Sequence, residues 1–484
     1  MRNNKKITQL SFLFLYSILF SMCVPKQQEM KPNLVFVFPD QMRGQAMGFL
    51  NEEKVITPVL DKFAEESIYF SQAVANYPVC SPTRAMMMTG QAPHNNGVIS
   101  NCYNISAQFG VELKESAICW SDILKKQGYS LGYIGKWHLD APYEPYIDCS
   151  NNKGKWKWNE WCPPHRRHGF DYWHAYGTYN DHLNPMYWST DASRHDFKYV
   201  DQWGPEYEAD RAIDFIKTRD KTKPFGLVVS MNPPHTPYHL VPFKYKEKYE
   251  AIDVEDLVQK PNIPDKVSPM GKHYREHIKD YYAAITGIDE QFGRILEALE
   301  EEGISGNTIV VFTSDHGDCI GTHHLKTKNN YYEESMRVPL LIRYPGKLKS
   351  GTNNLLISTT DLYPTILGLM GMEELIPAKV DGTNLSSLLT LESGEKPSSQ
   401  WYMKVPVGNP SQGIRGVRTE RYTFIVELDN SNQMRKVLFD RETDPYQLKN
   451  IANTNQQLEE ELMAELKSWL IKNNDPWIKH FDLP

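Results

Sequence analysis

Four short apolar runs, Asn33 to Phe38, Tyr129 to Gly135, Gly226 to Met231 and Thr308 to Phe312, each lead straight into polar, chemistry-bearing residues. The first delivers Pro39-Asp40-Gln41, the second Lys136-Trp137-His138, the third Pro233-Pro234-His235 and the fourth Ser314-Asp315-His316-Gly317. Continuous β-branched and aromatic runs of this length are the pattern of strands buried on both faces. A fifth run spans Pro339 to Tyr344, and helical patterns lie between the runs. The clearest covers His277 to Glu302, where Tyr282, Ile285, Ile288, Phe292, Ile295 and Leu299 recur at three- and four-residue spacing before Gly303 stops it. Such alternation predicts an α/β fold, a large, mixed but mostly parallel sheet sandwiched by helices. In open sheets of this kind the chemistry sits beyond the C-terminal strand ends, where these four runs put it.

This region is expected to span 31–375, with Asp361 to Met370 as its last helix. After Pro377 the pattern changes to hairpin-like segments, Trp401 to Val407, Gly413 to Val417, Tyr422 to Leu428 and Lys436 to Phe439, then a charged helix from Gln456 to Ile471. A smaller C-terminal α+β subdomain, 376–484, with an antiparallel sheet is the expectation. From Tyr143 to Asp201 the chain is rich in Trp, Tyr, His and Asn with little periodicity. Long insertions of this kind are usually functional. Stacking on sugar rings and a packed aromatic minicore explain its composition equally well. On the first reading Tyr179, Asn180, Asp181 and His182 are candidates for substrate contact.

The chain has 484 residues, 40% of them hydrophobic, enough for a substantial core. A net charge of −7 gives no general attraction for nucleic acid, and no nucleic-acid motif is present. An anionic substrate would have to be drawn by local groups such as Lys153, Lys155, Lys157, Arg166 and Arg167, for which a solvated surface is an equal reading. Arg2, Lys5 and Lys6 precede an apolar stretch, Ile7 to Phe20, too short to span a bilayer. Residues 1–23 therefore read as an export signal. Cys23 stands where a bacterial lipoprotein would be lipidated, although Met22 replaces the usual small residue, so ordinary cleavage is the alternative. The expected location is periplasmic or at the outer surface, with membrane contact only through such a lipid anchor. With Cys23 and Cys80 set aside, an odd number of the seven cysteines remains, against a disulfide framework. Cys149 and Cys162 could form one bridge, and buried thiols account for the rest.

Cys80-Ser81-Pro82-Thr83-Arg84 carries the sharpest signal. This Cys-x-Pro-x-Arg stretch, running on to Thr89-Gly90, resembles the maturation signature of the type I sulfatases of the alkaline phosphatase superfamily. Lys328, Tyr332 to Pro339, Ser358 to Thr365, Leu438-Phe439-Asp440 and Asp444-Pro445-Tyr446 follow in that family's order. The resemblance covers almost the whole mature chain and implies an alkaline-phosphatase-like fold. It also implies that Cys80 is oxidised to formylglycine by a host maturation enzyme. A hydrated aldehyde has two geminal hydroxyls: one attacks sulfur, and loss of the other's proton later expels sulfate and restores the aldehyde.

By the same resemblance Asp40, Gln41, Asp315 and His316 ligate a divalent metal beside Cys80. Ca²⁺ is the family precedent, and His316 keeps Mg²⁺ and Mn²⁺ open. Many members carry two adjacent aspartates at the first position. Gln41 keeps the oxygen donor but removes a charge, which should weaken the site. Arg84 would hold the matured residue, and Lys136 and Lys328 the sulfuryl oxygens or the hydrated aldehyde. His138 is the candidate base for sulfate release and His235 the candidate acid for the leaving alcohol. His94, His239, His323 and His324 could line the pocket, and Asp318 could support the metal ligands. The expected activity is sulfuric-ester hydrolysis on a sulfated carbohydrate. A phosphonate or phosphate ester hydrolase of the same superfamily, or an inactive glycan-binding surface protein, are the alternatives.

Overall fold

The strand Asn33–Asp40 lies at the centre of a ten-stranded sheet, pairing in parallel with Phe225–Pro234 on one side and Thr308–Thr313 on the other. The computed structural model describes residues 31–428 and 433–481. The expected export signal and Cys23 lie outside the described residues. Ser130–Lys136 and Tyr172–Tyr176 continue the parallel set, and antiparallel pairings enter toward both edges at Leu340–Arg343 and Met186–Ser189. The mixed, mostly parallel sheet read from the sequence is the one observed.

Period-two geometry explains why the central strands are apolar throughout. Leu34, Phe36, Phe38, Ile309 and Val311 face one core, whereas Val35, Val37, Val310 and Phe312 face the other. The first core is closed by the helices Cys80–Thr89, Trp120–Lys126 and Thr359–Leu369. Gly204–Thr218 and the long Pro269–Glu301 close the second. The long helix starts well before the expected His277. Ser268 accepts from the Gly271 amide and Pro269 occupies the first turn, a capping arrangement that the periodicity count did not weigh. A buried Ile or Phe cut to Ala in either core should cost about 2–5 kcal/mol.

The C-terminal strands Ser399–Lys404, Ile414–Thr419, Tyr422–Leu428 and Met434–Asp440 form an antiparallel meander. One face packs on the helix Gln456–Lys472 through Leu462, Leu466 and Leu470. The opposite face, with Tyr402, Ile425 and Phe439, shares a cluster with Val74 and Met336. Residues from Pro32 on accordingly pack as one compact unit. Cys149 and Cys162 are both buried free thiols, so the bridge considered from the sequence is not formed. Among the described residues no helix is long and apolar enough to cross a membrane.

Candidate active site

Strand geometry brings the four strand ends to one corner. Asp40 closes the central strand, where the register against Phe225–Pro234 is irregular between Pro39 and Asp40. Lys136 closes its own strand next to Gly135, whose φ is +94 and where a Cβ would meet the Ser230 carbonyl oxygen at 2.1 Å. Only glycine lets the backbone approach so closely there. Gln41 and His138, both non-glycine, hold positive φ of 72 and 53. Strained residues of this kind persist where the surroundings over-determine them, and they gather at functional sites.

Cys80 is the first residue of its helix and is buried. Its Sγ lies 3.1 Å from Lys328 Nζ, 3.4 Å from His316 Nε2, and 3.9 Å from both Lys136 Nζ and Asp40 Oδ1. Burial and the Asp40 charge raise the thiol's pKa, but Lys136, Lys328 and His316 outweigh them and hold it well below the ordinary range. A thiolate beside cations is the reactive form of cysteine.

Ligand atoms of Asp40, Cys80, Asp315 and His316 all lie within 4.8 Å of one another. His316 Nδ1 donates to the Gly317 carbonyl at 3.0 Å, which turns Nε2 to the cluster, where a bound cation would take the place of its proton. Gln41 turns its side-chain oxygen to the same corner, accepting from Lys328 Nζ at 2.7 Å, while its Nε2 is tied to Asp318. Tyr238 also donates to Asp318, at 2.6 Å. Asp318 thus supports Gln41, the indirect role read from the sequence. Two buried carboxylates, an amide oxygen and an imidazole nitrogen are a donor set that fits a divalent cation.

Arg84 runs through the floor of the site. It donates to Asp40 Oδ2 at 2.9 Å, Asp315 Oδ2 at 3.1 Å, the Lys136 carbonyl at 2.7 Å and Ser230 Oγ at 2.7 Å. Lys136 Nζ adds a 2.7 Å contact to Asp40 Oδ2. Burial would raise the Asp40 carboxyl, yet Lys136, Lys328 and Arg84 hold it well below its usual range. Asp315 is instead pushed up to about 6 by burial and by the Asp40 charge. Removing one member of such a buried charge network costs about 3–5 kcal/mol, because its partners are left uncompensated.

The two histidines differ in a useful way. His138 Nε2 donates to the Cys102 carbonyl at 3.1 Å, and its Nδ1 is buried with no hydrogen-bond partner, toward Cys80. Burial lowers its pKa, so it is a neutral acceptor. His235 Nδ1 donates to the Thr236 carbonyl at 2.7 Å. Burial, with Lys328 and Lys136, lowers its pKa to about 4. The sequence expectation of a group titrating near neutrality does not hold for the free site: His235 is neutral there, and a bound sulfuryl anion is what would raise it.

Other candidates separate. His182 Nε2 donates to the His235 carbonyl at 2.8 Å and so positions that loop. Asn180 and Asp181 lie half-buried beside it. The Tyr179 side chain is buried among Ile147, Met186 and Tyr187, where it packs instead of facing substrate. His94 is not in the site: it sits 3.3 Å from Asp475 and 3.5 Å from Arg415, tying the C-terminal segment. His323 stacks on Tyr332 and pairs with Glu334. Arg166 pairs with Asp140, and Arg167 donates to the Cys162 and Thr190 carbonyls. Ser230 and Tyr238 were not anticipated. A polar residue inside the otherwise apolar run Leu227 to Met231 was the available signal for Ser230, whereas nothing local marks Tyr238.

The family described as Sulfatase matches residues 32–372, and that described as N-sulphoglucosamine sulphohydrolase, C-terminal, matches residues 321–475. An endo-4-O-sulfatase of Bacteroides thetaiotaomicron is 37% identical over 94% of this chain and 95% of its own. An ulvan-active sulfatase of Formosa agariphila is 33% identical, over 93% and 84%. A sulfatase structure from Bacteroides fragilis superposes with a TM-score of 0.91 at 51% identity, covering 94% of this chain and 98% of that one. With the metal-type cluster, the buried Cys80 and these matches together, the chain belongs to the sulfatase family and is a sulfuric-ester hydrolase.

Proposed function

We propose that the protein removes sulfate from a sulfated carbohydrate, with residue 80 as nucleophile after oxidation of its cysteine to formylglycine. The observation that carries this reading is the setting of Cys80: a helix start, two ammonium groups, and the unpartnered Nδ1 of His138. The family match supports the formylglycine step, and a host maturation enzyme must supply it. The named activities of the two curated relatives support a carbohydrate substrate. Export through residues 1–23, with Cys23 as a lipid-anchor candidate, fits a glycan met outside the cytoplasm.

A divalent cation would be held by Asp40, Gln41, Asp315 and His316, with Ca²⁺ as the family precedent and the oxygen-rich donor set in its favour. When bound it supplies positive charge next to the sulfuryl oxygens. The chain's own residues do the rest. Lys136 and Lys328 bind the sulfuryl oxygens and follow charge as it moves to the leaving group. Arg84 fixes Asp40 and Asp315 and keeps the corner positive. His138 Nδ1 accepts the proton from residue 80 that accompanies sulfate release. His235, held by His182 through its backbone, gives a proton to the leaving alcohol. Asn180 and Asp181, next to His182 in the chain, are the candidates for contact with sugar hydroxyls.

The test is a panel of sulfated mono- and oligosaccharides, with a phosphonate and a phosphate monoester alongside and Cys80→Ala as blank. Free sulfate from a saccharide regioisomer, well above any phosphate or phosphonate turnover, is the expected result. Preferential turnover of the phosphorus esters by fully converted, metal-loaded protein would overturn it.

A further inference from the structure

The aromatic insertion separates into two groups. Tyr176, Tyr179, Tyr187 and Trp188 are buried together with Ile147 and Met186, a packed minicore. Trp156 and Trp158 are not. Trp156 is 52% exposed, and Trp158 is half-buried. Trp158 stacks on Tyr103 at a centroid distance of 4.8 Å and 17°, Trp156 meets it edge-on at 6.4 Å, and His138 approaches it at 6.3 Å.

We propose that Trp156 and Trp158, backed by Tyr103, form a stacking subsite for the sugar ring adjoining the sulfated one. The proposal rests on the carbohydrate reading above and specifies that the substrate is longer than one sugar. Its location follows from a short chain of contacts. His138 faces Cys80 and bonds the Cys102 carbonyl, one residue before Tyr103. Ser81, next to the nucleophile, accepts from the Cys102 amide and donates to the His138 carbonyl. The aromatic group therefore lies on the His138 side of the reacting centre, with Trp158 6.3 Å beyond the His138 ring and Trp156 a further 6.4 Å out.

The rings are held out rather than left loose. The Lys157 amide donates to Asn104 Oδ1 at 2.9 Å, and the Asn104 amide returns a bond to the Lys157 carbonyl at 3.1 Å. Asn152 Oδ1 accepts from the Trp158 and Asn159 amides at 2.8 and 3.0 Å. The Lys157 ammonium is spent on the Asn152 and Gly154 carbonyls. The Lys157 ammonium and these backbone bonds thus fix the segment that carries the rings, which lowers the ordering cost of binding. An indole face matches the C–H face of a pyranose and remains amphipathic enough to stay exposed. The Lys155 side chain is exposed immediately before Trp156 in sequence, placed for a sulfate or carboxylate on that neighbouring sugar.

The experiment uses the full chain with residue 80 converted. Steady-state constants are measured on a sulfated monosaccharide and on an oligosaccharide carrying the same sulfated unit, for wild type, Trp156→Ala and Trp158→Ala. KM for the oligosaccharide is expected to rise about tenfold in each variant, with a smaller change for the monosaccharide. Trp156→Ala carries the result if the more buried Trp158 variant fails to fold. An oligosaccharide-to-monosaccharide preference unchanged by Trp156→Ala, in a wild type that turns over both, overturns the subsite and leaves the carbohydrate reading intact. A wild type that releases sulfate from no saccharide overturns both, and an aromatic surface used for a protein partner is then the remaining explanation.

Discussion

Gln41 and Asp318 form a matched pair: the glutamine amide donates to the Asp318 carboxylate, and this fixes the glutamine oxygen on the Lys328 side. The pairing gives the amide at 41 a role that a carboxylate could not fill, since only the amide can donate to Asp318. A carboxylate at 41 would press against a buried carboxylate at 318, with no proton or cation between them. Although the lost charge alone would weaken the site, the contact with Asp318 reverses that expectation: Gln41→Asp should lower metal affinity and activity, and adding Asp318→Asn should restore much of the loss. Asp318→Ala, which frees the amide to turn, should weaken metal binding about 10–100-fold. Metal titrations of activity for the single and double variants measure the coupling directly.

Removing the metal should abolish turnover without unfolding the chain, since the cluster belongs to a site already braced by Arg84. Chelation followed by titration with Ca²⁺, Mg²⁺ and Mn²⁺ is expected to restore activity, with Ca²⁺ at the lowest concentration. Full activity in excess chelator would contradict the assignment of Asp40, Gln41, Asp315 and His316.

The two histidines should separate by leaving group. Loss of a general acid costs about 10²–10⁴-fold where the leaving alcohol needs its proton. His235→Asn is therefore expected to depress kcat/KM on a sugar sulfate far more than on an aryl sulfate, whose phenol leaves unaided. His138→Ala should depress both alike. Equal effects of the two variants on both substrates would remove the distinction.

Away from the reacting centre, Glu208 is buried, receives the Tyr176 and Tyr187 hydroxyls on one oxygen, and has no partner on the other. Burial outweighs the two tyrosines and pushes its pKa up to about 8 from an ordinary 4.5. Between those values the folded chain keeps a proton that the unfolded chain has released, so stability falls as pH rises through the window. Glu208→Gln removes that loss. Thermal unfolding at pH 5 and pH 8 should show the variant gaining on wild type at the higher pH by several degrees. Parallel curves at both pH values would contradict it.

The parallel sheet and its reactive edge were legible because buried strands write themselves as continuous apolar runs, and Asp40, Lys136, His235 and Asp315 stand where those runs stop. The matched pair of Gln41 and Asp318 was half legible. Proximity in the chain suggested Asp318, but only the fold brings Tyr238 to the same carboxylate. Within the insertion, composition alone cannot sort an aromatic that packs from one that faces water. Tyr179 and Trp156 look alike in sequence, and the minicore around Met186 takes one and leaves the other. His94 misled for a similar reason, since its partners Arg415 and Asp475 lie more than three hundred residues away.

The most direct measurement compares sulfate release with the state of residue 80. Preparations with different fractions of aldehyde at that position, quantified by peptide mass, are assayed on the same sulfated oligosaccharide. Activity proportional to the aldehyde fraction, and none from the thiol form or Cys80→Ala, is the predicted result. Sulfate release that persists in unconverted protein would contradict the account at its centre.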